Sequence, residues 1–138
     1  MAVRRMISVN VVSGDAFLDL PVGAQALYFH LVLQGDDDGF VNSPRGVMRM
    51  VGAAEEDLRL LTERGYVLPF EDGVVAITHW RVHNRIRKDR YTPTRYREQL
   101  SALTLTDNGE YVRSPAEEGP PGPWQLDGSQ TAAGRQPR

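Results

Sequence analysis

The sequence predicts a mainly α-helical α+β domain with one small β-hairpin. Three observations lead to this fold class: a long apolar segment at helical spacing, capping and stop residues that bound two short helices, and an Asp-Gly turn between two β-rich runs. The chain has 138 residues, a length that suits one domain with one hydrophobic core. Hydrophobic residues make up 41% and charged residues 25% of the chain, which excludes membrane-spanning and collagen-like classes.

The longest apolar segment, residues 20–33, predicts the first helix. Pro21 suits its first turn. Apolar side chains recur at helical spacing along it: Ala24, Leu27, Tyr28 and Leu31. Because the segment is apolar almost all round, we expect a central buried helix, with His30 packed in the core. The turn at 35–39 ends this helix and leads into a very short strand at 40–41.

Two short helices are predicted next. The first begins at Ser43 and Pro44, an N-cap followed by proline at the first helical position, and it ends at Gly52. The second runs over about 54–64, and Gly65 ends it. The apolar side chains that we expect to face the core are Val47, Met48, Val51, Leu58 and Leu61.

The two β-rich runs, 66–70 and 74–77, predict a hairpin. They flank Glu71-Asp72-Gly73, and an Asp-Gly turn between such runs is the strongest short-range hairpin signal. Helix, short strand, two closely spaced helices and hairpin follow each other as in a winged helix-turn-helix domain, whose hairpin is the wing. These elements occupy roughly 60 residues, a normal size for such a module.

A polar and basic segment follows the hairpin and leads to a predicted C-terminal helical extension. This helix begins at Thr92 and Pro93, again a cap followed by proline. Its apolar stripe has i, i+4 and i+7 spacing: Tyr96, Leu100 and Leu103. Because the stripe needs a partner surface, we expect it to pack either on its own domain or on a second copy of the chain. An Asp-Asn-Gly turn follows at 107–109.

The chain is predicted to divide into a domain and a tail. The winged-helix domain with its basic helical extension covers residues 1–112. Residues 113–138 hold five of the nine prolines and are expected to form a disordered tail.

The N-terminus lacks the unbroken apolar core and cleavage site of a signal peptide, so we expect a cytoplasmic protein that does not bind membranes. The absence of cysteine excludes disulfides and thiolate nucleophiles.

Charge is strongly segregated along the chain. Seven cations and one acid, Asp89, stand between 81 and 97, which gives this window a local net charge of +6. Since the whole chain carries −2, the remainder carries −8. A polyanion can therefore be attracted to one surface of a nearly neutral protein. The seven cations are Arg81, Arg85, Arg87, Lys88, Arg90, Arg95 and Arg97.

This basic window is the strongest functional signal, because its cations offer phosphate contacts. Trp80, Tyr91 and Tyr96 lie among them as candidate stacking surfaces, although Trp80 follows a buried-looking strand and is expected in the core. The alternative is a solvated basic face that pairs with acids of the same protein, such as Asp36 to Asp38. The predicted DNA-binding residues are Arg45, Arg49, Arg59, Arg81, Arg85, Arg87, Lys88, Arg90, Tyr91 and Arg95.

The two short helices supply the other candidates in this set. Arg45 and Arg49 share one face of the first short helix, and together with the N-terminus of that helix they could bind a phosphate. Ordinary helix capping and surface arginines explain this pattern equally well. On the second, Arg59, Thr62 and Glu63 face outward and could read base edges, yet any exposed helix face needs such polarity.

Three blocks, DDDGFVN, MRMVGA and IRKDRYTPT, resemble the phage replisome organiser N-terminal family, which is related to the winged-helix N-terminal domain of DnaD-like replication proteins. The resemblance runs from about Arg4 to Tyr111. It implies a phage-encoded DNA-binding winged helix that helps to assemble a replication complex at an origin inside a bacterial host. The implied partners are duplex or partly single-stranded DNA and host or phage replisome proteins, and a homodimer stays open.

Two departures from the family pattern bear on these expectations. Replisome organisers often carry a second C-terminal domain that contacts replisome components, whereas the predicted tail here is short. In addition, the third helix, which usually enters the major groove in a winged helix, begins with Glu55, Glu56 and Asp57. Acids at a helix N-terminus are favourable for the helix dipole, but here they stand where phosphate would approach.

Two other functions stay open: a winged-helix transcription regulator, and a phage-encoded adaptor or inhibitor whose acidic third helix binds a host protein. We do not expect an enzyme, because no nucleophile, base and orienting group come together. No metal or other cofactor is expected either. Asp36 to Asp38 lack the alternating pattern of a calcium loop, and His79 and His83 lack the glutamate of a zinc protease helix.

Overall fold

The computed structural model describes residues 4–114 of the chain. Its helices and strands follow one another in this order: α1 (Val9–Val12), α2 (Asp15–Leu18), α3 (Val22–Gln34), β1 (Phe40–Val41), α4 (Pro44–Val51), α5 (Glu55–Glu63), β2 (Val67–Pro69), β3 (Val75–Ile77), α6 (Trp80–His83), α7 (Arg97–Ser101), β4 (Leu103–Leu105) and β5 (Tyr111–Arg113). Within the described residues the strands form one three-stranded and one two-stranded antiparallel sheet. This mixture of helix and strand is compatible with the predicted α+β class.

The three-stranded sheet joins the first strand to the predicted hairpin. β3 lies in the middle, between β1 and β2. Phe40 of β1 lies opposite Ala76, and Val67 of β2 lies opposite Ile77. The hairpin turn places Gly73 at a φ of 89°, a left-handed conformation that glycine adopts at low cost. The predicted hairpin is therefore confirmed, and all of β3 is buried.

α3 is the central helix, as predicted, and packs against both α4 and α5. Pro21 precedes it as its N-cap and does not stand in its first turn. His30 is exposed, so the prediction that it packs in the core is wrong. The physical reason is that helical periodicity turns one face of even this apolar segment outward, where His30 lies with Leu33. The buried side chains of α3 are Ala24, Leu27, Tyr28, Leu31 and Val32.

The two short helices begin and end close to their predicted boundaries. Ser43 Oγ accepts a hydrogen bond from the N–H of Gly46 at 3.2 Å and so caps α4, while Gly52 ends it at a φ of 83°. At the start of α5 the Asp57 carboxylate accepts from the N–H of Ala54 at 2.9 Å. The predicted inward face is confirmed, because these apolar side chains are buried or partly buried: Val47, Met48, Val51, Leu58 and Leu61.

The C-terminal helical extension is shorter than predicted. α7 covers only Arg97–Ser101, and Leu103 already begins a strand. The reason lies at the predicted start of the helix, where the N–H groups of Thr92 and Thr94 donate to carboxylates of the 35–39 turn at 2.9 and 2.8 Å. These tertiary hydrogen bonds replace a helical start. The prediction of one helix from Thr92 through Leu103 is therefore wrong.

A second hairpin, which was not predicted, follows α7. β4 and β5 pair with Leu103 opposite Arg113, and the predicted Asp-Asn-Gly turn joins them with Gly109 at a φ of 86°. β5 reaches one residue past the predicted domain boundary at 112. The rest of the predicted disordered tail, residues 115–138, lies outside the described residues.

The N-terminal segment adds two short helices that the sequence analysis did not predict. α1 and α2 have four residues each, too few to show a periodic pattern. α2 places Phe17 in the core, with its ring 5.2 Å from that of Tyr28 in an edge-to-face arrangement. Among the helices of residues 4–114, none combines the length and the apolar composition needed to cross a membrane.

Candidate nucleic-acid interface

The turn between α3 and β1, Gly35–Gly39, contains three consecutive aspartates and is called the aspartate turn below. Asp36 shapes the turn itself, since its Oδ1 accepts the N–H groups of Asp38 and Phe40, both at 3.0 Å. Its Oδ2 accepts the hydroxyl of Thr94. Side chains of this type commonly bond to backbone N–H groups two residues on and so stabilise tight turns.

Asp37 is buried and binds two distant parts of the chain. Its Oδ1 accepts the Arg5 guanidinium at 3.0 Å, and its Oδ2 accepts the N–H of Thr92 at 2.9 Å. Burial alone would raise the pKa of Asp37, but the hydrogen bonds from Thr92 and Arg5 and the Arg5 charge lower the pKa below its ordinary value. The carboxylate is therefore held in its charged form.

Asp38 is fully buried and has the most partners of the three aspartates. Its carboxylate accepts from the Arg81 guanidinium, from the Tyr91 hydroxyl at 2.7 Å and from the N–H of Thr94 at 2.8 Å. Its backbone carbonyl accepts the hydroxyl of Tyr111 at 2.8 Å. A buried carboxylate persists only with such compensation. In residues 4–114 no group of three or more acidic or histidine side chains is arranged to hold a metal ion.

Trp80 packs against the aspartate turn. Its side chain is fully buried, as predicted, and its indole N–H donates to the carbonyl of Asp37 at 2.9 Å. The guanidinium of Arg5 lies 5.0 Å from the centre of the Trp80 ring and also donates to the carbonyl of Gly35 at 2.8 Å. Arg5 was not singled out from the sequence, because only its tertiary partners distinguish it from a surface arginine.

The N-terminal segment is attached to α6 through a buried histidine. His83 Nδ1 accepts the N–H of Ser8 at 2.9 Å, and His83 Nε2 lies 2.6 Å from the hydroxyl of Tyr28. Because Nδ1 is an acceptor, we assign the ring proton to Nε2. Burial, and secondarily His79, lowers the pKa of His83 to about 4. Next to it, the Asn84 side chain accepts the N–H of Met6 at 2.7 Å.

His83 is expected to make the fold less stable in acid. The unfolded chain binds a proton near pH 6.5 and the folded chain only near pH 4, so stability present above pH 6.5 is lost as the pH falls toward 4. We expect the free energy of unfolding to fall by about 3 kcal/mol more in the wild type than in a His83→Gln variant over this interval. Urea unfolding at several pH values measures it, and parallel pH profiles for the two proteins would contradict it.

The basic loop, Arg85–Arg90, is held at both ends by this framework. Asn84 is buried before it, and after it Tyr91 and Thr92 donate hydrogen bonds to the aspartate turn. Within the loop the N–H of Arg90 donates to the carbonyl of Arg87 at 2.9 Å, which closes a turn. The side chains between the two anchors project outward: Arg85, Arg87, Lys88 and Arg90 are exposed.

Few acids neutralise the basic loop. Arg87 pairs with Asp89 at 3.2 Å, and both side chains are largely exposed, so solvent screens this pair. Among residues 4–114, no carboxylate lies within ion-pair distance of Arg85, Lys88 or Arg90. The loop thus presents four cations against one acid. Arg95 and Arg97, both exposed, follow it in the chain.

Arg81 and the aromatic candidates are placed differently from the basic loop. Arg81 forms an ion pair with the buried Asp38 and retains 29% side-chain exposure, as the alternative interpretation of the basic window anticipated. Tyr91 donates its hydroxyl to Asp38, and Tyr96 donates its hydroxyl to Asn42 at 2.7 Å. The guanidinium of Arg95 lies 5.5 Å from the centre of the Tyr96 ring. Both tyrosine hydroxyl groups are therefore engaged within the protein, and both side chains are partly buried.

The candidates on α4 and α5 have a different electrostatic environment from those of the basic loop. Arg45 pairs with Glu55, and Arg59 pairs with both Glu56 and Glu63. These pairs are exposed and contribute little stability, but each guanidinium already has an acidic neighbour. Arg49 is exposed near the end of α4. The structure thus joins the candidates of the basic loop into one cationic surface and leaves those of α4 and α5 beside acids.

Comparisons with known proteins found no relative of this chain. No family model matches the chain, and neither the curated proteins nor the solved structures contain a significant match.

Proposed function

We propose that the protein is a winged-helix DNA-binding protein that grips the phosphate backbone with its basic loop. The observation that carries this proposal is the presentation of Arg85, Arg87, Lys88 and Arg90 on a loop whose two ends are anchored in the protein. Anchored cations lose little conformational freedom on binding, and contacts of this kind supply most of the affinity of nonspecific DNA binding.

The order of the central elements supports a winged helix. α3 is followed by β1, by the closely spaced α4 and α5, and by the β2–β3 hairpin, and β1 pairs with the second strand of that hairpin. This is the order of elements from which the sequence predicts a helix-turn-helix with a wing, and it supports the proposal. In such a domain the second of the two closely spaced helices commonly enters the major groove. In this chain that helix is α5, and because its Arg59 is paired with Glu56 and Glu63, we assign the phosphate contacts to the basic loop.

The environment of the aromatic side chains favours duplex DNA over single strands. Binding of single strands depends largely on bases that stack on exposed aromatic rings. Trp80 is fully buried, Tyr91 and Tyr96 are partly buried, and the guanidinium of Arg95 already lies over the Tyr96 ring. Phosphate contacts, which both kinds of DNA offer, are thus the main interaction that the basic loop can make.

The sequence blocks that resemble replisome organisers favour a role in replication. We infer that the protein is phage-encoded, acts in the cytoplasm of a bacterial host and helps to assemble an initiation complex on DNA. Residues 86–90 of the basic loop belong to one of these blocks, IRKDRYTPT, and residues 36–39 of the aspartate turn belong to another, DDDGFVN. Hydrogen bonds from Tyr91, Thr92 and Thr94 join these two blocks in the folded protein.

A double substitution in the basic loop is expected to weaken DNA binding on every sequence. Each phosphate contact contributes about 0.9 to the dependence of log K on log salt, so Arg85→Ala with Lys88→Ala should lower that slope by about 2. Fluorescence anisotropy with a short random-sequence duplex, titrated at several salt concentrations, measures this change. The same titration with the corresponding single strand is expected to show no tighter binding.

The matched control is Arg59→Ala with Arg64→Ala, which removes two cations from the α5 end of the domain. We expect this variant to keep most of the affinity, because Arg59 is already paired with Glu56 and Glu63. An equal loss in both variants would show that total charge, and not the basic loop, governs binding. No binding by the wild type at low salt would contradict the proposed function. Strong selection of one palindromic duplex would instead favour a transcription regulator.

A further inference from the structure

A groove of about 640 Å³ lies between the start of α4, the outer face of α5 and the β2–β3 hairpin. Apolar side chains line part of it, among them Leu58, Phe70 and Val75. The guanidinium of Arg113 lies 5.0 Å from the centre of the Phe70 ring and donates to the carbonyl of Pro69, so it helps to fix these two lining residues. The concave surface is therefore built from elements that are packed on the core.

The charged groups that line this groove are predominantly acidic. Four carboxylates face two guanidinium groups, and these two are already paired with three of the carboxylates. The fourth carboxylate, that of Asp72, accepts a hydrogen bond from the Gln99 amide at 2.7 Å and has no cationic partner among the described residues. The acids are Glu55, Glu56, Glu63 and Asp72, and the cations are Arg45 and Arg59.

We propose that this acidic groove accepts the basic loop of a second copy of the same protein. The loop is an exposed turn with four cations and one acid, and the groove is concave with an excess of two negative charges. The two surfaces are thus complementary in charge. Complementary potentials orient partners and raise the rate at which they associate.

The contact joins two different surfaces, so the association is head to tail. Such heterologous interfaces leave a free groove at one end and a free loop at the other, and they build open chains or rings in place of closed two-fold dimers. Because duplex DNA would occupy the same basic loop, phosphate and the acidic groove compete for it. Self-association is therefore strongest in low salt and without DNA, and added duplex reverses it.

Sedimentation velocity of the full chain at low salt, over a range of protein concentrations, tests this proposal. Two variants each remove one side of the contact. The loop variant carries Arg85→Ala, Lys88→Ala and Arg90→Ala; the groove variant carries Glu55→Gln, Glu56→Gln and Glu63→Gln. Each variant alone is expected to associate about tenfold more weakly than the wild type or worse, as the loss of several close charge pairs implies.

Mixing the two variants gives the decisive result, because the loop variant keeps its groove and the groove variant keeps its loop. We expect the mixture to form a complex of one copy of each that does not grow further. The matched control replaces three exposed acids elsewhere, Asp19→Asn, Glu98→Gln and Asp107→Asn, and should associate as the wild type does. Circular dichroism verifies that all variants are folded.

Several results would overturn the inference: a wild type that stays monomeric at low salt, a groove variant that associates normally, a control that loses association equally, or a mixture without the mixed complex. DNA binding by the groove variant separates this inference from the proposed function. We expect that variant to bind duplex at least as well as the wild type, since its basic loop is intact. Loss of self-association with retained DNA binding supports both proposals.

Discussion

Replacement of Asp38 by alanine is expected to destabilise the fold by about 3–5 kcal/mol, the range found when one partner of a buried ion pair is removed. The substitution leaves the Arg81 guanidinium without its carboxylate, although partial exposure of Arg81 lets water solvate it in part. It also removes the acceptor of the Tyr91 hydroxyl and of the Thr94 N–H, which is buried. Unsatisfied buried donors cost about 1–3 kcal/mol each.

Asp89→Ala is the matched control for this prediction. Asp89 also pairs with an arginine, but both side chains are largely exposed, and we expect a change of no more than about 0.5 kcal/mol. The shift of the urea midpoint at constant m value measures both variants. Faster hydrogen exchange at the amide of Thr94 is a second expected result for Asp38→Ala, because this N–H loses its acceptor and the C-terminal anchor of the basic loop is weakened. A destabilisation below about 1 kcal/mol would contradict the role assigned to Asp38.

The expected size of this effect reflects how many segments meet at the aspartate turn. The N-terminal segment reaches it through Arg5, α6 through Trp80 and Arg81, the end of the basic loop through Thr92, and β5 through Tyr111. Each of these contacts joins residues that are more than 30 positions apart in the chain. The position of the basic loop is therefore set by carboxylates that stand far from it in sequence.

Local signals predicted the central part of the fold correctly. The Ser43-Pro44 start and Gly52 end of α4 and the Asp-Gly turn of the first hairpin depend on hydrogen bonds and backbone angles within a few residues. Such features can be recognised in the sequence, because the residues that cause them lie next to each other. The apolar face of α5, with Leu61 fully buried, follows from periodicity in the same way.

The segment after the first hairpin was predicted less well, for a physical reason. Thr92 and Pro93 have the residue types of a helix start, but the N–H groups of Thr92 and Thr94 donate to carboxylates more than 50 residues away. No local pattern reveals that competition. The second hairpin has a recognisable turn at Gly109, yet the flanking strands have only three residues each, too few for a clear alternation.

Tertiary contacts that no local pattern reveals also shape the candidate site. Exposure of the four cations in 85–90 agrees with the charge pattern, whereas the pairing of Arg81 with Asp38 became visible only in the folded structure. In the sequence, Arg81 is one of seven similar cations. The sequence offers the aspartates 36–38 as ion-pair partners of this window. Which segment each aspartate binds depends on tertiary geometry.

Gly39→Ala is expected to cost about 3 kcal/mol or more, because two penalties add at this position. Gly39 has a φ of 88°, a left-handed conformation that costs an L-residue about 1–2 kcal/mol. In addition, a Cβ atom would lie 2.5 Å from Cγ and 2.7 Å from Cβ of Trp80. Trp80 is fully buried and held by its hydrogen bond to Asp37, so it cannot move aside without disturbing the aspartate turn. Overpacking of this kind adds about 1–3 kcal/mol.

Gly73→Ala separates the two penalties. Gly73 has nearly the same φ, 89°, but a Cβ atom there would meet nothing within 4 Å. Alanine at Gly73 therefore incurs the backbone penalty alone, and the difference between the two urea midpoints reports the contact with Trp80. We expect Gly39→Ala to unfold at a clearly lower urea concentration than Gly73→Ala, or to fail to fold where Gly73→Ala folds. Equal destabilisation of the two variants would show that Trp80 does not pack against Gly39, and the packing beneath the aspartate turn would then differ from the arrangement described above.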